Sequence, residues 1–262
     1  MKIDLRPKRI IVVGASGGIG LATAQKLLDN GAVEVLLAAR NRTKLEHAAS
    51  QLKVSGKQKV EILEFDITKI GNQEDFIQKA EHAAIPSGGG VDGLVISSGI
   101  NFDGSNWKGF NISESDWDRV MDTNLKGVFF LLRNFANFLL GQNRKGNICV
   151  VSSISAHRDM LSVYQISKAS ISAIVHAYGK FLCERGVALN CVEPGTTDGG
   201  MLHTEAYTDG IREGKVWNDN SIRRVIRPEE IADVICFLMS ERGDILSGSC
   251  VLAGGGCKGL HY

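Results

Sequence analysis

Short β-branched runs alternate with longer amphipathic stretches from one end of the chain to the other, and this pattern restricts the fold more than any other feature. Strands that are apolar along their whole length belong to a parallel sheet buried on both faces, with the intervening helices as its cover. The expected strands are residues 9–13, 33–39, 60–65, 91–97, 147–152, 188–192 and 249–253. The expected helices are 19–30, 43–54, 73–84, 114 to 138 or beyond, 164–185 and 228–240. Residues at the boundaries agree: Gly31 and Gly56 stand where helix C-terminal glycines belong, Ser113 with Asp116 forms a capping box, and Pro228 opens the last helix. Residues 99–112 read as a loop, and 196–226 as a polar, irregular segment expected to cover a site. There is no solenoid repeat and no linker, and 262 residues at 44% hydrophobic suffice for one α/β domain spanning 1–262.

Thirty basic against 29 acidic residues leave a net charge of +1, so no long-range field favours nucleic acid or an anionic membrane surface. The apolar run from Ile10 to Val13 is too short for a signal-peptide core, and no run approaches the roughly 18 apolar residues of a spanning helix. The six cysteines contain no CxxC pair and several sit in apolar runs, which reads as reduced core thiols in the cytoplasm. The histidines are too dispersed for an HExxH-type site, so no metal is expected.

Directly after the first strand comes Gly14-Ala15-Ser16-Gly17-Gly18-Ile19-Gly20, opening a helix. Glycines there let the backbone turn tightly and approach a pyrophosphate, whose charge faces the free N–H groups of the helix N-terminus. A plain strand-to-helix turn is the alternative; the strand before it and the helix after it favour a dinucleotide. The fold class is therefore a single-domain, Rossmann-type, doubly wound parallel sheet of about seven strands with helices on both faces.

The GxxxGxG spacing of Gly14, Gly18 and Gly20 resembles the short-chain dehydrogenase/reductase family, and the resemblance covers nearly the whole chain. Asp66, Gly99, Asn124, Ser153, Tyr164, Lys168 and Pro194-Gly195 follow in the family's order. The resemblance implies a dinucleotide held by Gly14, Ser16, Gly17, Gly18, Ile19, Gly20, Arg40, Asp66, Ile67, Ser98, Gly99, Tyr164, Lys168, Pro194, Gly195, Thr196 and Thr197. In members that use NAD an acid usually stands at the end of the second strand; here Ala39 is followed by Arg40, with Arg42 close by. A basic residue accepts a 2′-phosphate, so NADP(H) is favoured over NAD(H), the alternative being a merely solvated Arg40. Asp66 resembles the family's adenine-contacting residue, with a turn-forming Asp as its other reading.

Tyr164 and Lys168 form YxxxK, which one helical turn places on one face. Hydride exchange between a secondary alcohol and nicotinamide needs a proton moved on or off the substrate oxygen, and a Tyr with pKa about 10 needs a nearby cation to act as a base. Lys168 is expected to favour the phenolate by about two to three pKa units, and Ser153, eleven residues before Tyr164, to hold the substrate oxygen. Asn124 resembles the family's helix Asn, which links the lysine to solvent; the alternative is a residue facing water. The catalytic set implied is thus Asn124, Ser153, Tyr164 and Lys168, acting on a small-molecule carbonyl or alcohol.

Three departures from the family pattern stand out: Ile96-Ser97-Ser98-Gly99 for Asn-Asn-Ala-Gly, a shortened Ser-to-Tyr gap, and Gly254-Gly255-Gly256 for Asp-Gly-Gly. They bear on bracing and substrate-loop shape. His157 and Arg158 suit a polar or anionic substrate or are solvated. The competing functions are a redox sensor or scaffold that binds the dinucleotide without turnover, and a nucleotide-sugar epimerase or dehydratase, which usually needs a longer C-terminal domain. The family implies a homotetramer or homodimer.

Overall fold

β1 (Arg9–Val13) is buried at all five positions, and its side chains alternate between the two layers that flank the sheet: Ile11 and Val13 on one side, Ile10 and Val12 on the other. The computed structural model describes residues 3–101, 111–158, 162–199 and 220–257. The chain continues as α1 (Gly18–Asp29), β2 (Glu34–Ala39), α2 (Arg42–Gln51), β3 (Lys59–Glu64), α3 (Gln73–Ala84) and β4 (Gly93–Ile96). After it come α4 (Glu114–Met121), α5 (Gly127–Gly141), β5 (Gly146–Val151), α6 (Val163–Cys183), β6 (Val187–Pro194), α7 (Pro228–Leu238) and β7 (Cys250–Ala253).

All seven strands are parallel, in the order β3-β2-β1-β4-β5-β6-β7. The chain winds outward from β1 to β3, crosses back to β4 on the other side of β1, and winds outward again. Ala24 and Leu27 of α1, Leu45 of α2 and Ile231 and Ile235 of α7 close one face; Phe76 and Ile77 of α3, Leu131 and Phe135 of α5, and Ile171 and Val175 of α6 close the other. Burying the Leu, Ile, Val and Phe side chains among these supplies about 1.5–3 kcal/mol each, which is why fully apolar strands tolerate no solvent-facing side.

Three expectations are corrected. Gly31, with φ 95°, does follow the end of α1, but α2 ends at Gln51 on an extended Leu52, and Gly56 (φ 61°) belongs to the turn where Gln58 N donates to Ser55 O. The helix expected from 114 to 138 is interrupted by a π turn, Asp122–Lys126, between α4 and α5. β3 alternates exposed and partly covered residues, as an edge strand with no neighbour beyond it. Residues 102–110 of the expected loop and 200–219 of the expected covering segment lie outside the described residues. The base of that segment is described: Ile226 N donates to Thr196 O, and Asp198 N to Ile226 O, both at 2.9 Å.

Candidate active site

The crossing between β1 and β4 leaves a crevice at the carboxyl ends of the strands, the position where open α/β sheets take ligands. A cleft of about 680 Å³ lies there. Gly14, at φ 87°, sits so close to β4 that a Cβ on it would meet Ser98 N at 2.7 Å, and one on Gly20 would meet Gly14 O at 2.2 Å. Gly17 has open space around its Cα, and as the N-cap of α1 it leaves the first-turn N–H groups without a side-chain cap or a nearby acid. A bare, electropositive helix start opening on a cleft fits a pyrophosphate. Ser16, Gly17, Gly18 and Ile19 line the cleft, whereas Gly20 faces the turn behind it. Gly20→Ala is therefore expected to cost about 1–3 kcal/mol, a drop of several degrees in Tm, while Gly17→Ala keeps the Tm and weakens dinucleotide binding. Thermal melts and a dinucleotide titration of both variants check this; an unchanged Tm in Gly20→Ala would contradict the packing argument.

One end of the cleft, past β2, is lined by Arg40, Asn41, Lys44, Asp66 and Ile67. Asp66 serves a turn, its Oδ1 accepting from Thr68 N at 3.0 Å and Thr68 Oγ1 at 2.8 Å, and it also lines the cleft. The second cation here is Lys44 and not Arg42, which points outward to Glu46 at 2.9 Å. The cue was Asn41: as N-cap it accepts from Lys44 N at 2.8 Å and so places Lys44 in a first turn that faces the crevice.

At the other end, Tyr164 and Lys168 enter from the first turns of α6, and Ser153 from the chain leaving β5; all three line the cleft. Ser152 Oγ ties the strand end to the helix by donating to Lys168 O at 3.0 Å. Lys168 is 3% exposed; its Nζ donates to Val151 O at 2.9 Å and lies 5.6 Å from the centre of the Tyr164 ring. Asn124 stands behind them in the π turn, exchanging two 2.8 Å hydrogen bonds with the backbone of Ile100 and donating to Ser167 Oγ at 3.3 Å. Gly99 lies beside both: a Cβ there would be 3.4 Å from Lys168 Nζ and 3.6 Å from Asn124 Oδ1, in ordinary contact with each.

The protonation balance differs from the sequence expectation. Burial pushes the Tyr164 phenol above its ordinary value, with a hydrogen bond from Ser153 acting against it. Burial lowers the Lys168 ammonium from 10.5 to about 8. A shift of that size corresponds to about 3 kcal/mol against the charged form. Because the folded-state value lies below the unfolded one, the penalty is fully present below pH 8 and stability rises with pH from about 8 to 10.5. Lys168→Met is thus expected to raise the Tm at pH 7 by a few degrees, offset in part by the lost bond to Val151 O, and to gain less at pH 9.5. Melts at the two pH values test this; no gain at pH 7 would sink it.

Pro194 ends β6, and Gly195 packs on the last strand's exit: its N donates to Ala253 O at 3.1 Å, and a Cβ on it would meet Gly254 Cα at 3.0 Å. Ser98, Gly99, Pro194, Gly195, Thr196 and Thr197 all line the cleft; Asn124 does not, though its neighbour Thr123 does. Sequence spacing missed one spatial group among the described residues, Cys191, Glu193 and Cys250, whose donor atoms lie within 4.8 Å of one another. Glu193 is taken by Ser172 Oγ at 2.6 Å and His157 Nε2 at 2.7 Å, and burial keeps the Cys191 thiol protonated, so the group reads as packing and bracing. All six cysteines are free, and Cys183 is exposed on α6, outside the core where it was expected.

A doubly wound parallel sheet, with a glycine turn at its crossing and Ser, Tyr and Lys at one end of the same crevice, defines a Rossmann-type oxidoreductase working with a nicotinamide dinucleotide. The short chain dehydrogenase family's sequence model matches residues 8–209. Dehydrogenase/reductase SDR family member 2, mitochondrial, of Homo sapiens is 28% identical over 94% of this chain and 84% of its own length. A 3-oxoacyl-(acyl-carrier-protein) reductase of Aggregatibacter actinomycetemcomitans is 26% identical over 94% of this chain and 98% of its own. Among solved structures, a short-chain type dehydrogenase/reductase from Mycobacterium marinum has the same fold, with TM-score 0.85 at 24% identity over 97% of this chain and 96% of that one. A candidate 2-deoxy-d-gluconate 3-dehydrogenase from Agrobacterium tumefaciens, with bound NADP, superposes with TM-score 0.81 at 27% identity over 97% of both chains. The chain belongs to the short-chain dehydrogenase/reductase family and is an NAD(P)-dependent oxidoreductase. Among the described residues, no helix is long and apolar enough to cross a membrane.

Proposed function

We propose that this protein is an NADP(H)-dependent carbonyl reductase or alcohol dehydrogenase in which Tyr164 exchanges the proton with the substrate oxygen. The observation that carries the reading is the meeting of Tyr164, Ser153 and Lys168 at the end of the cleft remote from Arg40 and Lys44. The bound dinucleotide supplies or accepts the hydride. Ser153 holds the substrate oxygen against the Tyr164 hydroxyl. Lys168, mostly charged at neutral pH with a value of about 8, supports charge developing on the phenol, and Asn124 keeps the segment after β4 in place through Ile100. Held above its ordinary value, the Tyr164 hydroxyl keeps its proton at neutral pH, so it meets a carbonyl oxygen as a donor.

Arg40 and Lys44 support the choice of NADP(H), since two cations at the adenosine end match a 2′-phosphate, and the relative from Agrobacterium tumefaciens holds NADP. Exposed Tyr178 and Phe181 on α6 and Trp117 on α4 support a homodimer or homotetramer through these helices, and the free thiols suit the cytoplasm. The test follows NADPH oxidation at 340 nm across a panel of ketones, aldehydes and 3-oxoacyl thioesters. Turnover of at least one class is expected. Tight NADPH binding without turnover on any class would favour the sensor or scaffold instead.

A further inference from the structure

The described charges lining the cleft are mostly cationic. Among the described residues it carries four cations, Arg40, Lys44, Arg158 and Lys168, against one carboxylate, Asp66. Arg40 and Lys44 flank the end of β2, and Lys168 is engaged with Val151 O. Arg158 stands elsewhere. It follows the turn that begins at Ser153 after β5, and the order β2-β1-β4-β5 puts three strand spacings between it and Arg40. At about 4.8 Å per spacing that is about 14 Å across the sheet, on the side of Tyr164.

Its mounting is built from beneath. Glu193, with a side chain 1% exposed, is fixed on one oxygen by Ser172 Oγ at 2.6 Å and holds His157 Nε2 with the other at 2.7 Å. That pins the residue before Arg158 to the end of β6. The Arg158 N–H donates to Ser155 O at 3.3 Å, and its carbonyl accepts from the Gln165 side chain of α6. The guanidinium lies near the Cys257 thiol and acts to draw it down against burial. A backbone tied to its own turn and to α6, beside a residue pinned to β6, sets the point from which the Arg158 side chain enters the cleft.

We infer that the substrate of this enzyme is a carbonyl compound bearing an anionic oxygen group, a carboxylate or a phosphate, which pairs with Arg158 while the carbonyl meets Tyr164. The inference rests on the oxidoreductase reading above and adds the substrate class. A planar guanidinium takes two oxygens of either group at once, so the chemistry is shared, and probes of each kind separate the two.

The experiment uses matched pairs with NADPH: acetoacetate and methyl acetoacetate, 4-carboxybenzaldehyde and its methyl ester, dihydroxyacetone phosphate and dihydroxyacetone. In the unmodified enzyme, the anionic member of at least one pair is expected to have the higher kcat/KM. Arg158→Gln should lower that value by roughly 10- to 100-fold, the size of a hydrogen bond to a charged group, with the neutral member within about threefold and Arg158→Lys between the two. Whether the carboxylate or the phosphate pairs respond identifies the group. Equal losses for both members of every pair, or no preference for the anion, overturn the inference while leaving the activity reading standing. If no member is turned over, the activity reading fails, and the same pairs titrated against the NADP-loaded protein decide: tighter anion binding that Arg158→Gln removes supports the site, and equal binding removes it.

Discussion

Tyr164→Phe is expected to lower kcat by about 10² to 10⁴-fold, the range in which a positioned proton donor contributes to a rate. The variant keeps the ring that packs at the start of α6 and loses only the hydroxyl. With the residue 8% exposed and its one assigned partner Ser153, the stability change should stay near or below about 1 kcal/mol. Dinucleotide affinity should hold within about threefold, because the glycine turn and Arg40 are untouched. The measurement is steady-state turnover with NADPH and the best carbonyl substrate, beside a titration of NADPH alone. Turnover within tenfold of the parent would remove Tyr164 from the chemistry; a matching loss of NADPH affinity would make it a binding residue instead.

Arg40→Asp should reverse the cofactor preference. It exchanges a cation at the adenosine end for a carboxylate, so a 2′-phosphate loses hydrogen bonds of about 1.5–3 kcal/mol and meets repulsion, whereas two ribose hydroxyls gain an acceptor. kcat/KM for NADPH is expected to fall by about 10² or more and that for NADH to hold or rise. Lys44→Ala, which leaves Arg40 in place, should cost NADPH about tenfold and leave NADH unchanged. An Arg40→Asp enzyme that still prefers NADPH would assign the preference to other residues, and a parent enzyme that prefers NADH would overturn the role of Arg40 outright.

Much of the crevice was legible along the chain, for a local reason. The glycine spacing from Gly14 to Gly20, the YxxxK pair and the Pro194-Gly195 turn are each set by a few consecutive residues, whose backbone geometry follows from the residue types. Lys44 was missed although its cue, Asn41, is local. Asn124 was readable as an indifferent helix former at a suggestive place, but the π turn that points it at Ile100 was not. Its partner there is 24 residues away in the chain, beyond the reach of local spacing.

Taken alone, the amino-acid sequence determined the alternation of strands and helices, the burial of the inner strands on both faces and the local geometry of the glycine turn and of the Tyr164–Lys168 pair one helical turn apart, because side-chain period and local spacing encode these directly. The tertiary structure alone decided the strand order that opens the crevice between β1 and β4, the buried brace from Ser172 through Glu193 to His157, and the proton affinities of Tyr164 and Lys168. The reason is desolvation. Tyr164 rises and Lys168 falls to about 8 because neighbours distant in sequence strip water from both, a quantity that no spacing of residues along a chain contains.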